Sequence, residues 1–178
     1  AFGGPFEVNS SPATFTSTPQ PNLAFGTFTW NTNCSHVRQQ PYQVNFRASD
    51  NYNSPQLQDY ETMWITVVAP APENPVATPL GGIMQLQWDA SICTNASGYK
   101  VYRRQGTFGF VPGPCETGVP AYTGYQFIGQ TTGLNSTTYN DQGLAFGITY
   151  CYMVVAYFPD SAQSYASVEF CAMLERDV

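Results

Sequence analysis

The stretch Gly147-Ile148-Thr149-Tyr150-Cys151-Tyr152-Met153-Val154-Val155-Ala156-Tyr157-Phe158 decides the fold. Tyr150, Tyr152, Val154 and Ala156 recur at every second position, the spacing at which side chains of a strand share one face. Three other segments repeat the pattern. Tyr42, Val44, Phe46 and Ala48 alternate with Gln43, Asn45, Arg47 and Ser49; Met63, Ile65 and Val67 form another apolar row; Met84, Leu86 and Trp88 form the last. Each reads as a half-buried strand of an antiparallel sheet. No segment carries a sustained helical period, so the chain is all-β.

Composition agrees. Aromatic residues make up 15% of the 178 residues and charged ones only 10%, with 14 prolines and 15 glycines as punctuation. Disordered chains show the reverse balance, and short strands joined by turns show this one. The net charge is -6, with Lys100 the single lysine and Arg103-Arg104 the only basic pair. A surface that binds nucleic acid needs clustered cations, which argues against that partner. No apolar run approaches the ~20 residues of a membrane span. The chain begins at Ala1 and ends in polar sequence, which reads as a mature or excised fragment.

A composition break falls at Ala69-Pro70-Ala71-Pro72-Glu73-Asn74-Pro75. Prolines interrupt a hydrogen-bonded ladder and stiffen the chain. The expected organisation is therefore two tandem β-sandwich domains, 1–69 and 76–178, joined by a Pro-rich linker at 70–75.

The second half divides into seven strands: Asn74–Leu80, Gly82–Asp89, Gly98–Arg104, Gly124–Gln130, Ser136–Asp141, Gly147–Phe158 and Ser164–Ala172. Trp88 at the end of the second strand, Gly98-Tyr99-Lys100-Val101-Tyr102-Arg103, and Thr138-Tyr139-Asn140-Asp141 before Leu144 and Gly147–Tyr150 occur in the order found in fibronectin type III domains, which this half resembles. The resemblance implies that Tyr150 is a tyrosine-corner residue bonded back to the corner backbone. The segment Arg104–Tyr122 is an insertion that the family does not need.

The five cysteines are Cys34, Cys93, Cys115, Cys151 and Cys171. They have no CxxC spacing and only one His accompanies them, so disulfides in an oxidising compartment are the reading, with one thiol left over. A hairpin of the last two strands centred near Ser161 places Cys151 opposite Cys171. Cys151 is out of phase with Tyr150 and Tyr152, so this bridge belongs on the outer face of the sheet. Cys93 is expected to pair with Cys115, pinning the insertion, and Cys34 with a segment upstream.

In the first half, Gly26–Trp30, Pro41–Asp50 and Glu61–Ala69 resemble cadherin-like and Ig-like repeats, in a domain short enough to lack a strand. The combination resembles secreted, gliding-motility-associated or type IX-sorted surface proteins of Bacteroidetes. That resemblance implies export, an extracellular cell-surface location, and a spacer or adhesin role beside other domains of the same polypeptide, with cell-surface proteins or glycans as partners.

Catalytic chemistry has little to work with. His36, the only histidine, falls in the loop 31–40 and reads as exposed; no G-x-S-x-G frames a serine. Asp59 and Glu61, the nearest pair of carboxylates, flank a loop. The chain is expected to be non-enzymatic and to need no cofactor, with calcium the one candidate ion. Asp50, Asn51, Asn53 and Asp59 share one loop and supply the oxygen ligands that Ca²⁺ takes. Trp64, out of phase with Met63 and Ile65, and Phe108, Phe110 and Tyr122 in the insertion are candidate contacts for a glycan or protein. They carry the alternative reading, a carbohydrate-binding or accessory module of a secreted hydrolase.

Overall fold

A computed structural model describes residues 1–20, 23–50, 52 and 55–176. It divides into two compact units, one formed by Ala1–His36 with Gln40–Val67, the other by Val37–Gln39 with Val68–Val178. The change at Val67/Val68 lies two residues before the expected boundary. The Pro-rich stretch is folded into the second unit: Ala69 is buried and its carbonyl accepts from Tyr165 N, and Glu73 O accepts from Asp89 N.

The first unit contains β1 (Phe2–Gly3), a one-turn helix α1 (Gly4–Glu7), β2 (Thr14–Gln20), β3 (Leu23–Thr29), β4 (Tyr42–Ser49) and β5 (Gln58–Ile65). The strands form a β1-β4-β5 sheet and a separate β2-β3 hairpin. Its core is aromatic. Phe28 stands edge-on to Phe6 and Phe46, with ring centroids 5.7 and 6.2 Å apart, and Phe15 lies 5.6 Å from Phe46. Edge-to-face packing of this kind adds to the area that each ring buries. Gly26 makes room for it, because a Cβ there would meet the Phe15 ring at 2.4 Å. β2 was not expected from its sequence. Thr14, Thr16 and Thr18 line one side of it and only Phe15 reaches the core, which leaves almost no apolar period to read.

The second unit contains β6 (Val76–Leu80), β7 (Ile83–Gln87), β8 (Gly98–Gln105), β9 (Gln126–Thr132), β10 (Thr138–Asp141), β11 (Thr149–Tyr157) and β12 (Phe170–Met173). Two antiparallel sheets, β10-β7-β6 and β12-β11-β8-β9, make a sandwich. The alternating residues that marked the strands supply its core: Met84 and Leu86 from one sheet, and Tyr99, Val101, Tyr152, Val154 and Ala156 from the other, are fully buried. Trp88 packs edge-to-face with Tyr99, with centroids 5.4 Å apart. The Tyr150 hydroxyl accepts from Ala145 N at 3.0 Å, the corner bond that the sequence implied.

One cross-brace is polar. Asp141 on β10 accepts from Arg103 on β8 at 2.9 and 3.0 Å and from the Tyr152 hydroxyl on β11 at 2.9 Å, tying the two sheets together. Burial, then the Asp141 charge and hydrogen bond, push the Tyr152 hydroxyl far above its usual range and keep it a donor.

The last strand is shorter than expected, β12 starting only at Phe170. Along the return from the turn, Ala156 meets Ser164, Val154 meets Ser167 and Tyr152 meets Phe170. Each step of two residues on β11 is matched by three on the other side. The Ser164 and Ser167 hydroxyls absorb the slips, accepting from Ala156 N at 2.9 Å and Val154 N at 3.0 Å. Hydroxyls thus satisfy main-chain groups where the ladder fails, as buried backbone requires. Near the turn Tyr157 pairs with Gln163, where a hairpin centred on Ser161 would place residue 165, while Cys151 faces Cys171.

Candidate functional site

β11 is buried on both sides. Its outward residues Cys151, Met153 and Val155 pack with Phe110, Tyr125 and Ala166, with Tyr102 and Val119 at the margin. The segment between β8 and β9 therefore forms a second small core over the outer face. Phe110 is only 8% exposed, which corrects its expected role as a surface contact: it fills the hollow above the Cys151–Cys171 bridge.

Glu169 pins this cover. Its carboxylate accepts from Phe108 N at 2.7 Å, from Gly109 N at 3.1 Å and from the Tyr125 hydroxyl. Partial desolvation works to raise its pKa. The Tyr125 hydrogen bond, the two backbone N–H groups and the nearby Arg104 charge outweigh that, and the carboxyl sits below its ordinary value. Burial first, and then the hydrogen bond to Glu169, raise the Tyr125 hydroxyl far out of its normal range. Arg104 lies over the Phe108 ring at 5.4 Å. Gly118 N donates to Ser164 O and Cys115 N to the Tyr165 hydroxyl, both at 2.9 Å.

This path corrects the expected Cys93–Cys115 bridge. Cys115 is free and exposed, on a turn held over β11 by Tyr165. Cys93 is buried in the turn after β7, and both it and Cys34 are disulfide-bonded. Cys34 therefore needs no upstream partner. Cys151 and Cys171 are joined, with Cα atoms 4.1 Å apart.

His36 is buried and not exposed as expected. Its Nδ1 accepts from Asn33 N at 3.0 Å, so Nε2 carries the proton that it donates to Ser10 O at 2.6 Å. The ring packs on Trp30, 4.9 Å between centroids. The reason is local: a 3-10 turn over Cys34–His36 draws the imidazole under Trp30, and both nitrogens bind backbone. That leaves no lone pair to activate a nucleophile.

Of the candidate calcium loop, Asn51 and Asn53 lie outside the described residues. Asp50 Oδ1 accepts from Tyr52 N at 3.2 Å and Leu57 N at 3.1 Å, and Asp59 Oδ1 accepts from Tyr60 N at 2.9 Å. These bonds organise the loop itself, as Asx turns do. Both aspartates border a hollow of about 740 Å³ with Leu23, Tyr52 and Leu57. Among the described residues, no group of three or more His, Cys, Asp or Glu is placed to hold a metal ion.

Two kinds of open surface remain. In the second unit a groove of about 810 Å³ runs between the Pro70–Pro75 stretch, Phe110–Pro112 and Tyr165–Val168. Phe108 and Tyr122 stay 43% and 65% exposed beside each other, 6.2 Å between rings. In the first unit Trp64 is 63% exposed on the outer side of β5, as its phase required.

No family model matches the chain, and no curated protein does. Among solved structures it is similar to an Fn3-like protein from Clostridium thermocellum, at 27% identity over 62% of this chain and 98% of that one, with a TM-score of 0.42. It is also similar to the FN5 domain of Drosophila Lar, at 16% identity over 62% of this chain and 100% of that one, TM-score 0.42. A beta-1,2-glucanase from Parabacteroides distasonis matches at 15% identity over 71% of this chain and 17% of its own, TM-score 0.46. Three strands facing four, in the order β10-β7-β6 and β12-β11-β8-β9 with a tyrosine corner before β11, give the second unit a fibronectin type III-like fold.

Proposed function

We propose that the chain is a non-catalytic, extracellular module of a larger polypeptide, displayed as a spacer or adhesive element on a bacterial surface. What supports this most is how its reactive side chains are used. His36, Asp141 and Glu169 each hold two or more structural hydrogen bonds, and four of the five cysteines are in disulfides. Groups that would do chemistry elsewhere are spent on rigidity, and the bridges suit an oxidising compartment. The sequence resemblance to gliding-motility-associated and type IX-sorted proteins supplies the surface location and the adhesive role, with neighbouring domains of the same polypeptide as partners.

The test is thiol accounting on the protein in its native source. Iodoacetamide applied without reductant to intact cells and culture medium should modify Cys115 alone, on material that external protease removes. Protein confined to the cytosol, with five alkylated cysteines, would contradict the reading. A second reading, the carbohydrate-binding or accessory module, is favoured by one observation: Trp64 projects from an uncovered sheet face.

A further inference from the structure

We propose that the outer face of the β1-β4-β5 sheet is a binding platform for a neutral, hydroxyl-rich polysaccharide chain. The inference rests on the reading of the chain as a non-catalytic module and gives one surface of it a ligand class.

The register defines the face. Gln43 is opposite Trp64, Asn45 opposite Thr62 and Arg47 opposite Tyr60. Opposed residues of an antiparallel pair share a side, and Phe2, opposite Asn45, joins them from β1. Three rings stand open there: Trp64 is 63%, Tyr60 56% and Phe2 51% exposed. A packed sheet would bury such rings, and here they are left out.

Between the rings lies an organised amide cluster. Asn45 Oδ1 accepts from Gln43 Nε2 at 3.0 Å and from Thr62 Oγ1 at 2.8 Å. Both acceptor positions of that oxygen are used, which orients the amide and leaves Asn45 Nδ2 to donate and Gln43 Oε1 to accept. The Tyr60 hydroxyl donates to Gln58 Oε1 at 2.9 Å, holding its ring along the strand. The side chains are fixed by one another before any ligand arrives, which lowers the ordering cost of binding.

A pyranose matches this chemistry. Its C–H face stacks on an aromatic ring, and its rim hydroxyls both donate and accept. Trp64 and Tyr60 are four residues apart, ~13 Å along a strand at ~3.3 Å per residue, with the amide cluster between them. The order ring, amides, ring suits an extended chain of sugars rather than a single one. Charge selects neutral polymers: Arg47 is the one cation among these side chains, and six Lys and Arg against twelve Asp and Glu in the chain give a polyanion little to hold.

Affinity electrophoresis of the full chain in native gels tests this, with hydroxyethylcellulose, xylan or galactomannan as neutral probes and polygalacturonate as the charged one. Retardation is expected in at least one neutral gel. Trp64→Ala and Tyr60→Ala should each weaken it about tenfold, as loss of one stacked ring does. Asn45→Ala should weaken it less, and Tyr122→Ala, in the other unit, not at all. Trp64, Tyr60 and Tyr122 are exposed and Asn45 is half-buried, and unchanged melting of the variants shows that the fold is intact. Absence of retardation in every neutral gel, equal retardation of wild type and Trp64→Ala, or retardation by polygalacturonate alone would overturn the proposal. So would concentration-dependent dimerisation abolished by Trp64→Ala, which assigns the face to a second copy. Each of these results leaves the module reading standing, because that reading is tested by thiol state and location.

Discussion

The outer faces of two sheets in this molecule have been treated in opposite ways. On β11, the outward residues Cys151, Met153 and Val155 are fully buried under Phe110 and Tyr125, and Glu169 clamps the covering segment by its main chain. On β4 and β5, the outward residues Gln43, Arg47, Tyr60 and Trp64 are exposed. The difference is written in side-chain chemistry. A sulfur, a thioether and an isopropyl group cannot face water in a row without loss, so the chain spends about twenty residues to hide them, whereas amides and amphipathic rings tolerate exposure and remain available. Covered faces build stability and open faces build contacts.

The contrast predicts a graded set of responses. Phe110→Ala should be the most damaging, at about 3 kcal/mol in urea denaturation, because it removes the lid residue and leaves a cavity over β11. Cys151→Ser with Cys171→Ser should cost a similar amount, about 3 kcal/mol, the scale for a loop closed over 20 residues. Both effects should appear in the second unit alone. Tyr150→Phe should cost about 1 kcal/mol, the value of one corner hydrogen bond. A stability loss of that size from Trp64→Ala would erase the distinction between the faces; the change should lie within ~0.5 kcal/mol for so exposed a side chain.

Acid sharpens the comparison in another way. The Glu169 carboxyl is depressed in the folded state, so its contribution is complete above the ordinary carboxylate value of about 4.3 and is lost as pH falls through the lower folded value. Glu169→Gln should flatten that part of the stability–pH curve and lower its neutral plateau, where the contribution of the ionised carboxylate is lost. A variant whose acid limb matches wild type would show that the clamp at Phe108 and Gly109 carries no linked proton.

The alternating rows were legible because each carries its apolar residues at every second position: Tyr150 to Ala156, Tyr42 to Ala48 and Met84 to Leu86 all lie in strands, although β11 proved buried on both sides. The Cys151–Cys171 bridge was legible because register follows from a hairpin. The Cys93–Cys115 pairing failed because sequence distance says how far a loop reaches but not where it goes, and this one is drawn to the apolar outer face of β11. The slips at Ser164 and Ser167 and the burial of His36 were hidden for a related reason. Each depends on a hydrogen bond to backbone distant in sequence, and no periodicity records such a partner. Trp64 was placed on its face by phase alone, while Asn45, Gln43 and Tyr60 beside it emerged only once β4 and β5 were paired.

The most direct measurement is hydroxyl-radical footprinting read by mass spectrometry on the native chain. Trp64 and Tyr60 should oxidise rapidly, while Met153 and Phe110, although Met is intrinsically reactive, should be protected until the protein unfolds. Oxidation of Met153 as fast as that of Trp64 would contradict the account, since the outer face of β11 would then be as open as that of β5.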